Sequence, residues 1–243
     1  MSFLTPAIVA AYHAVTGLSS VLVPALGGLG PAAAIVMFTA AIRACLYPLN
    51  RAAVTAQLAA QKGRTALAPD VAKLQRKHKN DPRQLQRETV ELYRKNGVKL
   101  APGMGLGLIQ IPVFFVVYRL FVSPTIGGHH NNLLTDELFG VGLGSHFRDV
   151  TGDPGHIAVF LVLLTILAAL ATWSARRMRR TASVAPVGPS EAPAAGMAKV
   201  MALLPYGTVL AALALPLASS LYVATTTLWT LVERRRLAQP VQA

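Results

Sequence analysis

Apolar residues in this chain gather in long runs, and polar residues gather in blocks between them. The run Pro31 to Asn50, PAAAIVMFTAAIRACLYPLN, is 20 residues long and almost wholly apolar. That length crosses the ~30 Å hydrocarbon core of a bilayer as a helix. It predicts a first span over residues 28–50. Similar runs predict a second span over 100–122 and a third over 157–175. The last run, Met197 to Val232, holds Pro216 near its middle and has basic residues on both sides, Lys199 before it and Arg234 to Arg236 after. Basic flanks stay in the cytoplasm, so the number of crossings must be even. Two short spans hinged near Pro216, 198–215 and 216–233, meet that condition, and one long helix does not. Residues 1–27 are apolar but interrupted by Ser19, Ser20 and Pro24. Leu4, Ile8, Ala11, Val15 and Leu18 recur at helical spacing, which predicts a helix lying at the outer interface.

The polar blocks set the orientation. Residues 51–99 hold 12 of the 23 Lys and Arg residues. A short basic segment beside a span stays cytoplasmic. It reads as a helical hairpin, re-aimed at Pro69, turned at Asn80-Asp81-Pro82 with Asp81 as N-cap, and stopped at Gly97. Residues 123–156 carry four acidic residues against Arg148 alone, and read as an irregular outer loop. Its four histidines lack metal-ligand spacing. Residues 176–197 start with an arginine cluster and continue as a Pro/Ala/Ser linker, and 234–243 form a short cytoplasmic tail. The expected location is the plasma membrane, N-terminus outside and C-terminus cytoplasmic.

Composition narrows the function classes. The chain has 243 residues, a mean hydropathy of +0.47 and 14% charged residues, the profile of an integral membrane protein. The net charge of +13 is divided into juxtamembrane blocks rather than a nucleic-acid patch. The lone Cys45 excludes an internal disulfide and is read as packing. Residues 1–30 contain no Lys or Arg, so the first span is expected to act as its own insertion signal. No P-loop, GxSxG, HExxH or intramembrane Asp pair is present. The chain is therefore read as neither an enzyme nor a user of any cofactor or metal.

One residue does not fit an inert span. Arg43 lies inside the first run, ~10 Å from its cytoplasmic end. A cation at the centre of a bilayer helix costs ~2.5–3.5 kcal/mol on insertion scales. Snorkelling is one answer, although side chains lean toward their helix N-terminus, here the outer side. A wet cavity between helices is the other. None of the ten acidic residues falls inside a predicted span, with Glu233 at the last boundary, so Arg43 has no obvious carboxylate partner. Thr39 stands one turn earlier on the same face. A net-positive groove suits an acidic or polar peptide and not a cation.

An arginine in the first span followed by LYPL, a charged hairpin, LYRKNGV and then LIQIPVFFVVYRL resembles the YidC/Oxa/Alb family of membrane protein insertases. The similarity is strongest over Pro31 to Phe121 and weaker in the last spans, where Pro216 and Leu221-Tyr222 carry it. The chain departs from the family pattern at Lys99-Leu100, Met104, Val223 and Thr227, and its tail is short. The resemblance implies an all-α polytopic membrane protein, with five transmembrane helices around a hydrophilic groove and a cytoplasmic helical hairpin between the first and second spans. It implies a client-binding groove at Arg43, Thr39 and Gln110, with Tyr222, Thr226 and Thr227 on the opposite wall. It also implies partners: nascent membrane proteins, the ribosome–nascent chain complex, the lipid bilayer and, as a further candidate, a Sec-type translocon. The expected function is insertion of nascent transmembrane segments, drawn into the groove and released sideways into lipid. The competing reading is a small-molecule or anion transporter with an Arg-lined site, which would need internal repeats that the two halves do not display. A structural scaffold with a vestigial groove is the third.

Overall fold

The computed structural model describes residues 4–100, 104–150, 152–182 and 203–238. Most of the linker expected at 176–197, the first residues of the fourth expected span, and the end of the tail lie outside the described residues. The fold is helical, with two very small β-hairpins.

Helix α1 (Thr5–Leu26) buries Ile8, Ala11, Val15 and Ser19, one face at spacings of three and four. Gly27, at φ +55°, lets the chain turn through a 3-10 segment, Gly27–Leu29, into α2 (Gly30–Cys45). The crossing is tight, since a Cβ on Gly30 would stand 2.8 Å from the Val23 backbone. At the other end of α1, Val9 packs against Gly127, in the connection that follows α6.

Pro48 removes the amide that would bond the Ala44 carbonyl, so the helix turns at Leu46 without ending. Bonds from Leu46 N to Ile42 O (3.0 Å) and Asn50 N to Leu46 O (2.9 Å) bridge the turn into α3 (Tyr47–Ala66). The hairpin expected at 51–99 is thus the continuation of α3, then α4 (Ala68–Lys77) and α5 (Pro82–Lys95). Pro69 sits in the first turn of α4, where its missing N–H costs nothing. Asp81 caps α5 by accepting from the Gln84 amide at 3.0 Å. Glu88 ties α5 back to α4 through His78, at 3.1 Å. Past Gly97 (φ +67°), Val98 packs on Gly63 of α3, and Arg64 donates to the Leu100 carbonyl at 2.6 Å. The base of the hairpin is closed by those two contacts.

Helix α6 (Met104–Val122) leads into the connection expected to be irregular. Two hairpins order it. β1 (Thr125–Ile126) pairs with β2 (His129–His130), and β3 (Glu137–Leu138) pairs with β4 (Val141–Gly142). Their two-residue turns, Gly127-Gly128 and Phe139-Gly140, have positive φ throughout, the geometry that matches strand twist. Asn131 is fully buried beneath them and donates to the carbonyls of Leu120 (2.8 Å) and Ser123 (2.9 Å) at the end of α6.

Helix α7 (Pro154–Ala182) leaves this end, and α8 (Gly207–Ala214) and α9 (Leu217–Ala238) follow. Three contacts fix their directions. Tyr206 reaches Thr172 of α7 at 3.3 Å, just before α8 starts. The helix breaks at Leu215-Pro216, and there Leu217 N and Ala218 N donate to Ser145 O (3.0 Å) and Leu143 O (2.9 Å) of the β-rich connection. At the far end Arg177 of α7 donates to the Arg234 carbonyl of α9 at 2.7 Å. Helix α8 therefore climbs toward the β-hairpins and α9 descends from them, a hinge at Pro216 as the sequence predicts. The freed amides after Pro216 are satisfied by the connection rather than left bare.

The outside of this bundle is apolar. Ile111, Phe114 and Tyr118 of α6 and Leu161, Val162 and Ile166 of α7 all face outward. Thr5–Cys45 and Pro154–Met178 are long and apolar enough to cross a membrane, and Ile111–Val122 and Leu204–Ala214 are shorter apolar helices. A surface of this kind is what lipid covers, and water does not favour it. The buried core, with Ile35, Val117, Leu120, Phe121, Phe160, Leu167 and Leu217, sits toward the end that carries the β-hairpins.

Candidate functional site

Helix α9 carries an unusual row. Ser219, Tyr222, Thr226, Trp229 and Glu233 follow one another at steps of three and four, so they share a face. Ser219 Oγ, Thr226 Oγ1, Trp229 Nε1 and Glu233 Oε1 are buried and have no hydrogen-bond partner among the described residues. An unsatisfied buried polar group costs ~1–3 kcal/mol, so four on one helix face mark a surface built for water or for polar groups brought from outside. The neighbouring threonines behave differently. Thr225, Thr227 and Thr230 return their hydroxyls to the carbonyls of Leu221 (2.8 Å), Val223 (2.7 Å) and Thr226 (2.8 Å). Of the two threonines singled out from the sequence, Thr226 has an available hydroxyl and Thr227 does not.

Tyr222 is half-buried, its ring 6.3 Å from that of Phe121, so it joins the row to α6. Thr39 is 1% exposed, and its hydroxyl donates to Ile35 O at 2.7 Å. It packs in the core rather than facing a wet surface. Gln110 falls on α6, and its side chain lies outside the described residues. The structure thus brings Tyr222 and Thr226 onto one row and sets Thr39 apart from it.

Arg43 is half-buried in the last turn of α2, where the carbonyl end of the helix favours a cation. The sequence placed no acid inside a span and Glu233 at the last boundary, and Glu233 is the carboxylate on which Arg43 acts. Helices α2 and α9 descend from the same end, and Arg43 and Glu233 stand ~20 Å and ~25 Å below their starts. Counted this way, the two residues lie within about one helical turn of the same depth. Glu233 is 7% exposed, and Arg43, Arg234 and Asn50 of the first turn of α3 lie close enough to act on its carboxyl. No ion pair under 4 Å closes between Arg43 and Glu233 among the described residues, so the guanidinium is counterbalanced without being clamped. Asn50 and Trp229 were not singled out from the sequence, and Glu233 was marked only as the acid at the last boundary. The polar spacing of three and four along α9 was the available signal.

Outside the bundle, Asp149 accepts from the His146 amide at 2.9 Å and approaches its ring at 3.1 Å. These bonds, the backbone one foremost, hold the Asp149 carboxyl below the usual carboxylate range. His156 stands 3.8 Å from Asp153.

Comparison with known proteins adds the family. Residues 26–241 match the family model described as 60Kd inner membrane protein. The chain is 36% identical over 98 residues to the membrane protein insertase YidC of Clostridium perfringens, which covers 40% of each chain. It is 34% identical over 137 residues to the membrane protein insertase YidC of Granulibacter bethesdensis, covering 54% of this chain and 22% of that protein. To the Helicobacter pylori (strain ATCC 700392 / 26695) protein of the same name it is 34% identical over 90 residues, 37% of this chain and 16% of the relative. The matched stretches thus span less than half the length of each of these relatives.

Proposed function

The chain belongs to the 60Kd inner membrane protein family, the YidC/Oxa insertases, and from that premise we propose that it inserts nascent transmembrane segments into the cell membrane. In this reading α2, α6, α7, α8 and α9 are the five spans. The β-rich connection lies outside, α1 lies at the outer interface, and the α3–α5 hairpin and the C-terminal end are cytoplasmic. The direct contact of α1 with both Gly127 and Gly30 supports the interfacial placement, because each belongs to the same end of the bundle.

The observation that carries the proposal is the coincidence of Arg43 with the unpartnered polar row on α9, inside a bundle whose exterior is apolar. A client segment entering from the cytoplasm meets a cation for its acidic or polar flank. It also meets Thr226, Trp229 and Ser219 for backbone groups that have lost water. Its apolar part then partitions into lipid at ~0.8 kcal/mol per buried methylene. The protein has only to lower the barrier for the polar flank, so no covalent step is involved. Partners in this reading are nascent membrane proteins, the ribosome that delivers them, and lipid.

The test uses cells depleted of their own insertase and complemented with this chain. A photoreactive residue at position 110 should crosslink to ribosome-bound nascent spans. Arg43→Ala should slow insertion of clients with acidic translocated tails about tenfold or more, the loss of one charge-assisted contact, and Arg43→Lys should restore most of it. Absence of crosslinks together with wild-type insertion by Arg43→Ala would remove the assignment.

A further inference from the structure

Glu233 has no part in the function just proposed, yet its surroundings are specific. Among the described residues it is the one acidic side chain that is buried. Its Oε1 has no hydrogen-bond partner among the described residues, and Asn50 lies near its carboxylate. The charged groups that act on it are Arg43 of α2 and Arg234 of its own helix. It ends the polar row of α9 on the side where the chain leaves the bundle. Burying a carboxylate costs several kcal/mol unless opposite charge and hydrogen bonds compensate. Here compensation comes from arginine without a closed ion pair, so the partnership is open to exchange.

We propose that Glu233 is the resident counter-ion of Arg43: an incoming acidic flank must displace it, and the residue at 233 thereby sets how strongly the site discriminates by client charge. This rests on the reading of Arg43 as the groove cation. A client tail with aspartates competes with Glu233 for the guanidinium, whereas an uncharged tail does not. Competition keeps acidic tails exchangeable, so they are drawn in and released. Without Glu233 the site becomes a bare cation in low dielectric, which binds acidic tails tightly and gives them up slowly.

The experiment uses the full chain in proteoliposomes and two single-span test substrates. These differ only in a short translocated tail that carries two Asp or two Asn, and each has a photoreactive residue in that tail. Glu233→Gln keeps shape while removing charge. It should raise crosslinking of the Asp tail roughly three- to tenfold, slow that tail's release into lipid, and leave the Asn tail unchanged. Glu233→Asp should behave like wild type. In an Arg43→Gln background, Glu233→Gln should have no further effect, since the interaction it removes is already gone.

Equal effects on both tails, no effect on either, or an effect that persists with Arg43→Gln would each overturn the proposal. Should Glu233→Gln fail to fold, the Arg43→Gln/Glu233→Gln double variant carries the test. It buries no uncompensated charge and should treat the two tails alike, and retained discrimination refutes the idea. Failure of the underlying insertase reading looks different, because then neither tail crosslinks to the wild-type chain.

Discussion

Asn131 offers the most quantitative perturbation. It is fully buried where α6 ends, and its amide group donates to Leu120 O at 2.8 Å and Ser123 O at 2.9 Å. Both acceptors are terminal helix carbonyls, groups that have no intrahelical partner. Asn131→Ala leaves them without a donor. Losing the Leu120 bond, at a buried site, costs ~1–3 kcal/mol, and the part-buried Ser123 bond adds ~1 kcal/mol. The Oδ1 atom, which has no partner among the described residues, disappears with the substitution and returns a fraction of that. A net loss of about 2–3 kcal/mol is expected, a fall of roughly 4–12 °C in the melting midpoint for a chain of this size. The assay is thermal unfolding in nanodiscs, read beside hydrogen exchange at the Leu217 and Ala218 amides, which donate into the same connection. Asn131→Asp sharpens the test. It has nearly the same shape but turns an acceptor toward two carbonyls, so it should be worse than alanine. An aspartate variant as stable as alanine or more so, or an alanine variant within about 0.5 kcal/mol of wild type, would refute the reasoning.

Two further outcomes are expected. Gly30→Ala places a methyl 2.8 Å from the Val23 backbone, and Gly63→Ala places one 2.6 Å from a Val98 methyl that can rotate away. The first should cost ~1–3 kcal/mol of stability and the second distinctly less, as thermal unfolding of the two variants will tell; a reversed order would contradict the packing. The Asp149 carboxyl sits below its ordinary value of 3.8, so its contribution is present above that pH and is lost as pH falls through the lowered folded value. Exchange of the His146 amide should accelerate there, and Asp149→Asn should abolish the transition; pH-independent protection would exclude the clasp.

Much of this architecture was legible in hydropathy and punctuation. Pro69, Asp81-Pro82, Gly97 and Pro216 each mark a turn, cap or break, because each acts through its own backbone chemistry. The β-hairpins were less legible. Their strands are two residues long, too short for alternation to register, and only the Gly127-Gly128 pair hinted at a turn. The site was legible in part. Arg43 stands out because charge is costly in an apolar run. The meeting of Glu233 and Asn50 with Arg43 depends on which helices descend side by side, and no local pattern encodes that. Thr39 shows the limit of spacing. Helical spacing placed it with Arg43, but a threonine can return its hydroxyl to its own helix, and this one does.

The bonds that bridge Leu46 have a mechanical consequence. Because Leu46 N to Ile42 O and Asn50 N to Leu46 O carry the helical ladder past the gap at Pro48, the α3–α5 hairpin is not a tethered flap but an arm continuous with α2. Its root carries Asn50, which lies near the Glu233 carboxyl. A load on the arm's tip would be passed along that bent rod toward the residues around Arg43.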